Sequence, residues 1–388
     1  MVQPVVDVSP PKWHLGHTTW FFETFVLAPN KKGYRLFDRS YGYVFNSYYE
    51  SVGSRVIRTD RGNLTRPSVE EVLNYRKYVD EQMLAFLFEN VLSEELRELI
   101  ELGLQHEQQH QELLLYDIKY ILGHNPLFPV YKDSVDTRLQ SEPHVDLGFL
   151  KINEGNYTIG TDADGFHFDN EEGKHRVFLH TYEVADRLTS NKEYLEFIED
   201  GGYDSFQYWL SDGWEWVNQN ENKSPLYWHN IDGAWHQYTL QGLKPLVLNE
   251  PVAHVSFYEA DAFARWKKMR LATEFEWEIA CKHYQPAPHE NSNIVEKEIL
   301  RPNYKSGDYQ FFGNLWEWTN SAYLPYPFFN TKPGAIGEYN GKFMINQMVL
   351  RGGSFATPQN HIRPTYRNFF QPHLRWLFAG IRLARHSN

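Results

Sequence analysis

The first third of the chain repeats its apolar residues at helical spacing. Trp13 to Ala28 is an apolar segment closed by Pro29. After Pro67 a second segment begins, with Ser68 and Glu71 three residues apart as in a capping box, and its pattern runs to about Asn90. A third segment starts after Ser93 and continues to Leu122, where Gly123 and Pro126 are stop signals. Within it Leu99, Gly103, His106, His110, Leu113, Asp117 and Ile121 recur at three- and four-residue steps and so share one helix face. The spacing predicts three antiparallel helices with long connections, part of a bundle.

The pattern then changes. The stretch from about Asn125 to Asp146 reads as a crossing linker, and Gly148 to Gly160 alternates like a strand. Short helices are expected at Ser190 to Asp200, Ser256 to Lys268 and Thr273 to Lys282. Aromatic, glycine-bearing segments follow, among them Phe312 to Trp318 and Leu350 to Phe355. No internal repeat is visible. The second part is therefore expected to be a loop-rich α+β domain.

Composition narrows the function. The chain has 388 residues, enough for two or three domains, and a net charge of −12. That balance argues against non-specific nucleic-acid binding and against charge-driven attachment to anionic membranes. No apolar run is long enough to span a bilayer, and Met1 to Pro11 lacks the basic and apolar regions of a signal peptide. A single cysteine, Cys281, excludes an intrachain disulfide framework and a multi-cysteine zinc site. A reducing, cytoplasmic setting is the expectation. Aromatic residues make up 16% of the chain, a load that serves both core and pocket.

The chemistry centres on histidine. His106 and His110 lie one helical turn apart, so both rings project the same way and can chelate one ion. A further ligand would come from another helix, with His14 and His17 as candidates. The same run, His106-Glu107-Gln108-Gln109-His110, also fits the zinc-hydrolase pattern with Glu107 as general base. The elongated protease form needs Gly and His further on, where Leu113 and Tyr116 stand.

Larger motifs frame these histidines. They are Ser9-Pro10-Pro11-Lys12-Trp13-His14-Leu15-Gly16-His17-Thr18-Thr19-Trp20-Phe21-Phe22-Glu23, the His106/His110/Glu112 run, Gly313 to Thr319, Arg351 to Ser354, Tyr366 to Phe370 and Gly380 to Leu383. In combination, across nearly the whole chain, they resemble the ergothioneine-biosynthesis sulfoxide synthases, the hercynine oxygenases. The resemblance implies an α+β protein with two parts. A DinB-like helical bundle over residues 1–130 would carry the metal. A C-type-lectin-like domain of the formylglycine-generating-enzyme type, over 131–388, would complete the substrate pocket. It implies non-haem Fe(II), O2, and the joining of a cysteine sulfur to the imidazole C2 of hercynine (Nα-trimethylhistidine) as a sulfoxide. Close variants would use histidine itself, as in ovothiol synthesis, or a selenium donor.

Carried over by position, the resemblance makes His17, His106 and His110 the iron ligands. Glu112, about one turn along the helix from Gln109, is a candidate supporting partner from its spacing. Gln109, Asn368 and Phe369 match hercynine-binding positions; an aromatic face suits a quaternary ammonium. Arg58 and Arg61 match a pair that holds the cysteine carboxylate, for which a guanidinium fork is suited. The adjacent Tyr48 and Tyr49 match a tyrosine pair that supplies a proton, with Tyr323 and Tyr326 as alternatives. Phe370 and Leu374 stand where relatives using γ-glutamylcysteine carry charged residues, which favours free cysteine as donor. Relatives also place a further helix before the Ser9 segment, where this chain has only Met1 to Val8. Formylglycine-generating activity would need a cysteine pair, and Cys281 stands alone as an expected buried apolar residue.

Overall fold

Each helix expected in the first third forms. In the computed structural model, which describes residues 2–133, 145–305, 307–331, 337 and 340–387, α1 spans Pro11–Phe21 with Pro11 at its first position. It runs on through a π-helical turn, Phe22–Leu27, and a last short piece, Ala28–Asn30, so Pro29 lies inside the final turn. Pro29 is tolerated there because the local helix restarts around it and its absent N–H falls in a first turn.

Helix α2 spans Val69–Glu89, and the capping box of Ser68 and Glu71 is formed in both directions. Its buried side chains, Val72, Tyr75, Val79 and Phe86, keep the helical step. Helix α3 spans Glu94–Gly123 and buries Gln105, His106, His110, Glu112 and Asp117 along it. These helices belong to a first compact unit, Met1–Ile121 with Asp164–Asp169 and Asn330–Lys342.

The second unit comprises Leu122–Ala163, Asn170–Phe329 and Phe343–Asn388. Part of the expected linker, 134–144, lies outside the described residues. The stretch read as one strand is two, β1 (Phe149–Ile152) and β2 (Gly155–Ile159), because the chain turns between them. β2 pairs with β3 (His175–Leu179) as a two-stranded ribbon. β1 pairs instead with β4 (Tyr182–Ala185) in a four-stranded sheet completed by Leu383–His386 and Arg270–Leu271. A second four-stranded sheet is built from Asn368–Phe370, Met348–Arg351, Trp316–Ala322 and Ala379–Gly380. A three-stranded meander runs over Trp228–Thr239 and Gly242–Pro245.

The three expected short helices appear as Asn191–Glu199, Phe257–Trp266 and Glu274–Tyr284, each opened by a complete capping box. A fourth, Ser211–Gln219, starts without a side-chain cap. The α+β expectation is met, with helices in the first unit and mixed sheets in the second.

Motifs of the second unit are core chemistry. Glu317 accepts from Arg382 Nε and Nη2, both at 2.7 Å, and from Trp277 Nε1 at 2.6 Å. Arg351 Nη2 donates to Glu274 and Glu278 at 3.0 Å each, and Arg367 donates to both oxygens of Glu274. These ions are fully buried, a situation stable only when charges pair and their remaining hydrogen bonds are met. Cys281 sits in the apolar cluster with Trp277, Ala280 and Phe311, and burial pushes its thiol well above the ordinary value. It is a small core residue, not a nucleophile. Among the described residues no helix is long and apolar enough to cross a membrane.

Candidate metal centre

Helices α1 and α3 approach closely because glycines face aromatic rings. A Cβ on Gly103 would lie 2.7 Å from the ring of Phe22, and one on Gly16 would lie 2.1 Å from that of Phe45. Without those side chains, Phe22 packs onto α3 and Phe45 folds over α1. The second contact places the Phe45 carbonyl 2.6 Å from His17 Nδ1. A carbonyl only accepts, so Nδ1 carries the proton and Nε2 keeps its lone pair. That Nε2 is buried and has no hydrogen-bond partner among the described residues.

Helical spacing brings the other two rings to the same place. His106 and His110, one turn apart on α3, stand 4.7 Å from each other between ring centroids. They lie 5.0 and 4.7 Å from His17. One ligand nitrogen from each lies within 4.8 Å of the others, and all three residues are buried. Burial, with His106 alongside, pushes His17 well below the ordinary histidine pKa. Burial pushes His106 down to about 3, and burial with the neighbouring His106 and His17 lowers His110. Neutral imidazoles are the form that binds metal. Three of them, one with an open buried lone pair, fit a divalent ion and leave its charge uncompensated.

Aromatic walls hold the triad. Trp13 stacks on His17 at 4.6 Å and 13°, and Trp20 stacks on it at 5.6 Å and 16°. Arg61 lies over Trp13, its guanidinium carbon 3.4 Å from the ring centre. Arg61 is buried, donating to Ser9 Oγ at 3.0 Å and Ser47 Oγ at 2.9 Å, and its Nε has no partner among the described residues. Burial and the nearby Arg58 bring its pKa down to about 9. Arg58 itself is exposed and donates to the Asp7 carbonyl. The two arginines therefore differ: one is sequestered beside the triad's wall, the other faces solvent.

Tyr49 is buried against Trp20 and Phe25, and Tyr48 stacks on it at 4.9 Å. Gln109 is half-buried on α3 between the two histidines. Glu112 accepts from Tyr116 at 2.5 Å. Glu107 is held in an ion pair with Arg76 at 2.8 Å, which disfavours it as the general base of a zinc hydrolase.

His14 does not join the triad. It stands one step outward, its Nδ1 2.9 Å from His110 Nδ1 and its Nε2 2.9 Å from Asp117 Oδ2. No motif had marked Asp117; its place on the histidine face of α3 was the available signal.

In the second unit, Phe369 stacks on Tyr323 at 4.0 Å and lies 6.0 Å from Phe343. The Asn368 amide oxygen accepts from the Phe369 N–H. Tyr323 accepts from Asn170, while Tyr326 is locked between Glu274 and Arg351 in the buried ion network. That leaves Tyr326 a structural tyrosine. Phe370 packs edge-on against Trp376.

Residues 138–387 match the sulfatase-modifying factor enzyme 1-like domain family. Hercynine oxygenase of Mycolicibacterium smegmatis is 31% identical over 311 residues, covering 73% of this chain and 70% of that protein. The hercynine oxygenase of Mycobacterium tuberculosis is 30% identical over 306 residues, covering 72% and 70%. Ergothioneine biosynthesis protein 1 of Schizosaccharomyces pombe is 26% identical over 233 residues, covering 57% of this chain and 28% of that one.

Proposed function

This chain belongs to the hercynine oxygenase family, and from that premise we propose that it forms the carbon–sulfur bond of ergothioneine biosynthesis. The reaction joins the sulfur of cysteine to C2 of the hercynine imidazole. One C–H and one S–H bond are lost, and O2 takes four electrons, leaving one oxygen in the sulfoxide and one in water. The observation that carries the reading is the buried neutral triad His17, His106 and His110 with its open lone pair. We assign it Fe(II), because three uncharged nitrogen ligands leave positions and charge for substrates. When bound, the ferrous ion supplies the electrons that start O2 reduction and the charge that favours a thiolate near neutral pH.

The chain's own groups do the rest. The stacked indoles of Trp13 and Trp20 keep water from His17 and fix its plane. Arg58 and Arg61 are assigned to the cysteine carboxylate; the buried Arg61, with an N–H still open, is the stronger member because its field is least screened. Gln109, Asn368 and Phe369 are assigned to hercynine. The Tyr48/Tyr49 pair is assigned the proton donor. Single changes to phenylalanine separate the two: loss of the donor lowers turnover by about 10²–10⁴-fold. Phe370 and Leu374 offer no charge to a glutamyl group, which supports free cysteine over γ-glutamylcysteine.

The test is anaerobic reconstitution with Fe(II), then O2, hercynine and cysteine, with products read by mass spectrometry. Hercynylcysteine sulfoxide is expected. Absence of O2 uptake with any histidine derivative and any thiol would overturn the proposal. A strong preference for γ-glutamylcysteine would overturn the donor assignment alone.

A further inference from the structure

We propose that His14 and Asp117 are positioning residues that set which nitrogen of His110 faces the metal, an inference that rests on the triad holding a metal ion. The hydrogen bonds have a direction that can be read outward to inward. The Asp117 carboxylate accepts, so His14 Nε2 carries the proton. With its proton on Nε2, His14 presents Nδ1 as the acceptor, 2.9 Å from His110 Nδ1. That nitrogen of His110 must donate, which frees Nε2 for the metal.

The geometry is built for this. His110 and Asp117 lie seven residues apart on α3, two turns and about 10 Å along the same face. His14, delivered from α1, spans the gap with its two nitrogens. The Ser9 N–H also donates to Asp117 Oδ2, at 2.8 Å, and anchors the carboxylate. The His14 and Asp117 side chains are only 5% and 3% exposed, so the pair has been taken out of water in a region otherwise walled by tryptophans. Burying such a pair costs free energy unless its bonds are specific, and its inner end terminates on a triad member. His17 receives the same treatment from a different partner, the Phe45 carbonyl. Two of the three rings therefore have their outer nitrogen assigned by a hydrogen bond, one to backbone and one to a histidine–carboxylate relay.

The experiment measures Fe(II) affinity anaerobically by chelator competition, and Co(II) absorption as a signature of coordination, in wild type, His14→Leu, His14→Gln and Asp117→Asn. Apo-protein melting accompanies each. Leucine breaks the relay and should weaken Fe(II) binding by about 10- to 100-fold, with an altered Co(II) spectrum. Glutamine can accept from His110 and donate to Asp117, and should restore most of the affinity. Asparagine keeps the bond but removes the charge, and should fall between. Wild-type affinity and spectrum in His14→Leu overturn the proposal; if that variant does not fold, the same result in Asp117→Asn overturns it. A wild-type protein that binds no Fe(II) overturns the metal reading itself, and the relay with it.

Discussion

Two buried polar clusters, one in each unit, are built on opposite principles. In the second unit, Glu317 with Arg382 and Glu274 with Arg351 and Arg367 form ion pairs in which each carboxylate meets guanidinium donors, although Arg351 Nε has no partner among the described residues. In the first, three imidazoles are gathered uncharged, with His17 Nε2 left open among the described residues. Opposite charges that meet hold strands and helices together. Three gathered neutral rings have no such pairing, and a bound cation would complete them. The contrast separates residues that keep the fold from residues assigned to the chemistry.

Substitutions should split along the same line. The largest effect is expected for His106→Ala, which should abolish turnover while circular dichroism still reports a folded apo-protein. Retained turnover would erase the distinction. Next is Glu317→Ala. It strands Arg382 as a buried charge and should cost about 3–5 kcal/mol in a denaturant titration, while Fe(II) affinity of the folded protein stays unchanged.

Acid should discriminate between the clusters. Unfolded histidines take protons near pH 6.5, but His106 folded does so only at about 3. Between those values the unfolded state binds more protons, so stability falls as pH falls, by an amount on the order of a few kcal/mol. In the second unit, His361 is lowered by burial in the same sense as the triad, whereas the ion cluster responds in the carboxylate range. Glu274 is pushed up by burial but held below the usual carboxylate value by Arg367 and Arg351. Its contribution is present above about pH 4.3 and is lost as pH falls through the folded value. Glu317 opposes it, because burial outweighs Arg382 and raises its carboxyl. Denaturant titrations of the metal-free protein should weaken from about pH 6.5 downward, and His106→Gln should flatten that slope. The smallest effect is expected at the exposed cap: Ser68→Ala should cost about 1 kcal/mol and leave metal affinity alone.

Much of this arrangement was legible in the chain itself. Helix starts were clear wherever Ser or Thr preceded Glu by three residues, because that box is local chemistry. The helix Ser211–Gln219 was not, since it has no side-chain cap and carries a glycine in its first turn. The meander at Trp228–Pro245 was missed because its burial alternates poorly. The His106/His110 pair followed from helical spacing. Which histidine of α1 faces it did not: residue spacing left His14 and His17 open, and the resemblance selected His17. The bridge from His14 to Asp117 depends on the packing of two helices distant in sequence, which no local pattern records.

The central claim, that His17, His106 and His110 form one metal site, is tested most directly by metal stoichiometry. After anaerobic Fe(II) loading and desalting, the wild type should retain one iron per chain. His17→Ala should retain almost none while remaining folded. Equal iron in both proteins would contradict the account.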